Sequence, residues 1–225
     1  MTERMIKLVF ALHGNDLRPL LLGEQLRADL AVAGVQRLQV NLDDDDVAPA
    51  MRFGPGAPVT ALVTLWTSGD PSAAIAVLAE IENDLHGWRV TERRPIEPPC
   101  VASGERADAL ANIAILRRPE HMTREDYLAD WLERHTPIAI ETQDTFGYIQ
   151  NIVEEALTPG SPEISAIVEE LFHTAGMTDM HAFYGSGGDD EELNRRLTKL
   201  MDSVRLFGAD VGLDLVPTSR YLFEV

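Results

Sequence analysis

The sequence predicts an α+β protein built from two consecutive βαββαβ units. Two observations carry that prediction: the order strand, helix, strand, strand, helix, strand reads twice along the 225 residues, and a proline-rich stretch, Pro95 to Gly104, separates the two readings. A chain of this length can bury a hydrophobic core as one large domain or as two of roughly 110 residues.

In the first unit, Met5 to Leu12 is an apolar β run. Asp16 onward supplies a helix in which Pro19 is tolerated because it falls in the first turn, where no intrahelical N–H bond is lost. Val35 to Leu42 alternates, with Gln36, Leu38, Val40 and Leu42 on one face and Arg37, Gln39 and Asn41 on the other, the two-residue period of a half-buried strand. A turn on Gly54, Pro55, Gly56 and Pro58 leads to the strand Val59 to Trp66. Asp70 and Pro71 then make an N-cap and first-turn pair for a helix with Ile75, Leu78 and Ile81 inward, and Trp88 to Arg94 is the fourth strand. Because Pro95, Pro98 and Pro99 cannot donate to a central sheet ladder, the units are placed at 1–97 and 108–225 with a linker at 98–107.

In the second unit, Leu110 to Leu116 is the first strand, and Thr123 with Asp126 forms a capping box for a helix that stops at Pro137. Phe146 to Val153 is the second strand. An insertion without counterpart follows at 154–178, where Ser161 to His173 reads as a helix with Ile164, Ile167, Val168 and Leu171 on one face, either packed down or acting as a lid. Met180 to Tyr184 is read as the third strand, Asp189 to Phe207 as the second main helix and Thr218 to Val225 as the last strand. Tandem ferredoxin-like units of this kind leave one face of each antiparallel sheet bare, so the two sheets can cover each other.

Composition narrows the function classes. The formal net charge is −18 with only two lysines, Lys7 and Lys199, which disfavours nucleic acid, whose binding draws on cations that neutralise phosphates. The acidic run Asp43 to Asp46 lacks the glycine and spaced oxygens of a calcium loop and reads as a solvated loop. The single Cys100 excludes an internal disulfide framework, no apolar run suits a membrane span, and Met1 to Leu12 has no leader pattern, so a cytoplasmic protein without membrane attachment is expected. The six histidines lack the paired close spacing of a zinc site, no haem-attachment motif is present, and the Gly185 to Gly188 turn, followed by Asp189 to Glu192, would repel a phosphate; no metal and no cofactor is expected.

The stretch Thr123 to Val153 stands apart. Tyr127, Trp131 and His135 are spaced i, i+4, i+8 and stack along one helix face. The sequence LRRPEHMTREDYLADWLERHTPIA followed by GYIQNIV resembles the EthD family of the dimeric α/β barrel superfamily, with MDSVRLFGAD before the last strand adding to the match. The resemblance covers most of 108–225, and the first unit has no Trp and His pair, so it implies one working site with the first unit mainly a covering sheet. It further implies a chamber between sheet and helices for a hydrophobic or aromatic small molecule. Relatives in the superfamily include cofactor-free monooxygenases, polyketide cyclases, other lyases and haem proteins.

His135 is the leading candidate for acid–base work, since imidazole titrates near neutral pH, but a histidine ending a helix also has a structural use on the free carbonyls. Tyr148 and His181 are its candidate catalytic partners, with Trp131, Tyr127, Gln150, Asn151, Asn112 and Tyr184 as candidate substrate contacts. On Phe146 to Val153 only one face can line a chamber, so Tyr148 and Gln150 exclude Asn151, and His181 and Tyr184 exclude each other if both sit in a strand. The expected function is an enzyme of oxidoreductase or lyase/cyclase type; a non-catalytic small-molecule binding protein is the alternative. A homodimer of two such pseudo-dimeric chains stays open.

Overall fold

The alternating runs of both units pair into one closed structure. In a computed structural model that describes residues 5–225, eight antiparallel strands form a barrel in the circular order β1, β3, β2, β8, β5, β7, β6, β4. They are β1 (Ile6–Leu12), β2 (Val35–Leu42), β3 (Ala61–Thr67), β4 (Leu85–Ile96), β5 (Leu110–Leu116), β6 (Thr145–Ala156), β7 (Ala166–Phe172) and β8 (Asp214–Glu224). Each unit keeps the ferredoxin-like strand order, and the two meet along the seams β2–β8 and β4–β6. The reading of Met1 to Leu12 falls in part on residues 1–4, which lie outside the described residues. Among those described, no helix is long and apolar enough to cross a membrane.

Alternation sorts the side chains. Val9, Ala11, Trp88, Ile113, Ile167 and Val216 meet inside the barrel. The outer faces are covered by helices: α1 (Arg18–Leu21), α2 (Glu24–Val32) and α3 (Pro71–Ile81) on the first unit; α4 (Arg124–Ala129), α5 (Thr136–Thr142), α6 (Met180–Tyr184) and α7 (Asp190–Leu206) on the second. Asp70 caps α3 by accepting from Ser72 N, and Thr123 caps α4 by accepting from Asp126 N, as their positions predict.

Four expectations need correction. The 154–178 insertion helix and its lid role do not exist: residues 166–172 are strand β7, paired with both β5 and β6. That strand is buried on both faces, by the barrel interior and by the helical layer, so its near-continuous apolar run also fits a helical stripe. With β7 as third strand, Met180 to Tyr184 is instead the short helix α6, capped by Asp179 and ended by left-handed Gly185 (φ 62°). Pro137 does not stop the Trp131 helix, because a π turn at Asp130–His135 bonds Thr136 N to Trp131 O and lets the helix re-form as α5. The fourth strand runs past the expected end at Arg94 to Ile96, taking in Pro95, which lies opposite no bonded partner.

The acidic run, half exposed and half partly buried, carries ion pairs. Asp43 pairs with Arg52 at 2.8 Å, Asp44 with Arg18, and Asp46 lies 3.5 Å from Arg106.

Candidate active site

The second unit's helices do not close fully onto their sheet. Between the outer face of β5, β7 and β6 and the layer formed by the π turn, α6 and α7 lies a cavity of about 550 Å³. Its walls are mostly apolar, including Leu116, Val168, Leu200, Val204 and Phe207. The equivalent space in the first unit is filled by Phe10, Leu17, Leu21, Leu26 and Leu30. The first unit contributes to the second unit's cavity through its β2–β3 loop, from which Ala50, Met51 and Phe53 reach the lining. The first unit thus adds a loop to the cavity wall, while its sheet covers the second unit's sheet by closing the barrel, as expected.

The floor carries the chemistry. Asn112 on β5, Glu170 on β7 and Tyr148 on β6 are direct cross-strand neighbours, and all three line the cavity. Their positions follow from the period of two: Ala166, Val168, Glu170 and Phe172 share the outer face, while Ile167, Glu169 and Leu171 point into the barrel. Burial pushes the Glu170 carboxyl up to about 8, so it is mostly neutral at pH 7 yet ionises just above. Tyr148, 1% exposed, has its phenol raised well above its ordinary value, first by burial and then by the charge of Glu170. Tyr184, on α6 at the cavity, is raised for the same two reasons. Asn112 Oδ1 is buried and has no hydrogen-bond partner among the described residues, an orphan that normally calls for a ligand or water.

His135 lines the cavity from the π turn, but its Nδ1 is 3.0 Å from Ser203 Oγ and its ring packs 4.7 Å from Phe207. Burial lowers it to about 4, so the imidazole is neutral through the physiological range. It is held by a side chain of α7, not by helix-end carbonyls. This has a stability signature. A base whose folded pKa lies below its unfolded value contributes stability that is present above about 6.5 and lost as the pH falls towards about 4. His135→Gln, which keeps a partner for Ser203, should therefore lose less stability than the parent between pH 7 and 4.5, by about 2 to 3 kcal/mol. Denaturant titrations at the two pH values measure this, and equal losses would remove His135 as the cause.

The remaining predicted residues separate. Trp131 is fully buried and lines the cavity. Tyr127 packs beneath it against Phe207, away from the cavity. Gln150 shares the Tyr148 face but is spent on Thr136 Oγ1 at 2.7 Å, under the helix. Asn151 points into the barrel and donates to Ile167 O at 3.1 Å. His181 leaves the site altogether: on α6, its Nδ1 is 2.6 Å from Ser186 Oγ and its Nε2 is 3.3 Å from Asp190. The strand rule that set His181 against Tyr184 fails because the segment is helical. Glu170 was missed because its segment reads as a helix; in the strand alternation it is the one charged group among outer-face apolar residues. Among the described residues, no group of three His, Cys, Asp or Glu side chains could hold a metal ion.

No protein-family model matches the chain, and no curated protein matches it. Solved structures do. An anthrone oxidase-like protein aligns over 99% of this chain and 93% of its own at 8% identity, with a TM-score of 0.52. A candidate monooxygenase from Lactobacillus acidophilus aligns over 99% and 97% at 6% identity and a TM-score of 0.51. Another from Fusobacterium nucleatum aligns over 100% and 96% at 10% identity and a TM-score of 0.53. Identities this low speak to the fold alone. With whole-length agreement and the closed order of eight strands, the chain has the dimeric α/β barrel fold, both halves carried by one polypeptide.

Proposed function

We propose that the chain is an enzyme of monooxygenase type, EthD-like in its second unit, that oxidises an enolisable aromatic ketone or phenol. The observation that carries this is the row Asn112, Glu170, Tyr148 on the floor of an otherwise apolar cavity, with Glu170 tuned to about 8. In this reading the Glu170 carboxylate removes a proton from a ring methylene conjugated through the flanking aromatic rings with a carbonyl, and Asn112 and Tyr148 donate hydrogen bonds to the enolate oxygen. The electron-rich carbanion then reduces dioxygen, the second substrate: one oxygen atom enters the ring carbon as C=O, and the other leaves as water with the two hydrogens of the methylene. The substrate supplies the electrons, so the step needs no redox cofactor. The anthrone oxidase-like neighbour supports this substrate class, since an anthrone presents such a methylene.

The test is aerobic turnover of anthrone, followed by oxygen uptake and quinone absorbance above the buffer background. Enzyme-dependent uptake supports the oxidation. Enzyme-dependent exchange of the methylene hydrogens in deuterated water without oxygen uptake would move the reading to a lyase or cyclase. Saturable binding with neither would leave a small-molecule binding protein.

A further inference from the structure

We propose a second binding site, remote from the cavity above, that takes a small organic carboxylate at one end of the barrel. Here Arg37 (β2), Arg94 (β4) and Arg220 (β8) bound a cavity of about 240 Å³, walled on its apolar side by Pro98, Pro99 and Leu222. Arg37, Arg94 and Arg220 belong to the inward-facing set, as do Lys7 and Trp66 beside them. In a chain of net charge −18, this is a concentration of four cations.

Of the four, Arg37 keeps capacity to spare. Glu92 is shared by Lys7 and Arg94, Arg94 also donates to Glu97 at 2.5 Å, and Arg220 is held by Glu169 at 3.1 Å and Gln39 at 3.0 Å. Arg37 lies 4.8 Å over the Trp66 ring, which Lys7 covers at 4.9 Å, and its Nε is buried without a hydrogen-bond partner among the described residues. An orphaned guanidinium N–H at a cavity wall is a cost that a bound anion removes. Two carboxylates stand exposed at the rim: Glu97, paired with Arg94, and Glu224, the cross-strand neighbour of Arg37. They select by charge: a dianion such as phosphate meets both, while a monoanionic carboxylate fits the planar guanidinium fork and lays its alkyl body on the proline wall.

Calorimetric titration of the full chain with butyrate at fixed ionic strength should show one saturable site per chain. Arg37→Gln should weaken it at least tenfold, and Arg37→Lys, which keeps the charge but loses the fork, should fall between. Arg89→Gln is the control, because that side chain pairs with Glu155 on the outside, and it should bind as the parent does. Melting curves check that each variant is folded. No saturable binding to the parent, equal affinity in Arg37→Gln and Arg89→Gln, or tighter binding of inorganic phosphate than of butyrate would each overturn the proposal.

Discussion

Glu170→Gln should lower kcat for an enolisable aromatic substrate by about 10²- to 10⁴-fold, the usual contribution of a positioned base. Glutamine keeps the shape and the hydrogen bonds of the neutral acid but cannot take a proton. In the parent, kcat/KM should climb with pH and level off above about 8, because the ionised carboxylate is the active form and burial places its ionisation there. The residual activity of the variant should lose that limb. Stability should move the other way. The folded pKa of Glu170 lies above the ordinary 4.5, so its stabilising contribution is whole below about 4.5 and is lost as pH rises through about 8. At pH 9 the variant should be more stable than the parent by a few kcal/mol, given about 1.4 kcal/mol per pKa unit. A variant that is both less active and less stable at pH 9 would show Glu170 to be a structural residue.

The second large effect concerns the barrel interior. Glu169, 3% exposed, accepts from Gln39 Nε2 at 3.0 Å and Asn41 Nδ2 at 2.9 Å and faces Arg220 at 3.1 Å. Arg220 donates in turn to Gln39 Oε1 at 3.0 Å. These groups come from β2, β7 and β8, so the network ties the first unit to the second across the β2–β8 seam. Glu169→Leu should cost about 3 to 5 kcal/mol, because it leaves Arg220 charged and buried without its carboxylate, while the two amides keep only their bonds to Asn41 Oδ1 and Thr218 Oγ1. Adding Arg220→Met should recover much of that loss, since a buried pair is nearly replaceable by apolar groups when both partners go together. Urea denaturation of both variants measures this. Deleting the exposed Arg89–Glu155 pair, by contrast, should fall within about 1 kcal/mol.

The fold was largely legible because local signals agreed with it. Val35 to Leu42 and Leu110 to Leu116 have the bounds their patterns predict, and the caps at Asp70 and Thr123 sit where their side chains can reach the next N–H groups. Legibility failed where a segment is covered on both sides. Residues 166–172 carry apolar groups on both strand faces, and only the pairing with β5 and β6 fixes them as a strand. Misreading that segment hid Glu170 and displaced His181 into a strand that does not exist. The Trp131 and His135 pair was visible, yet its use was not, since the Ser203 bond that holds His135 spans 68 residues. No local pattern encodes such a contact.

The leucines that fill the first unit's cleft also set a number. A barrel made from two identical subunits would carry two equivalent sites and allow one to sense the other. Here a single backbone holds one occupied cleft and one open one. Ligand uptake at the open cleft should therefore follow a plain hyperbola with one equivalent per chain, and it should be insensitive to dilution. Joining the halves exchanges cooperativity for an assembly that cannot come apart.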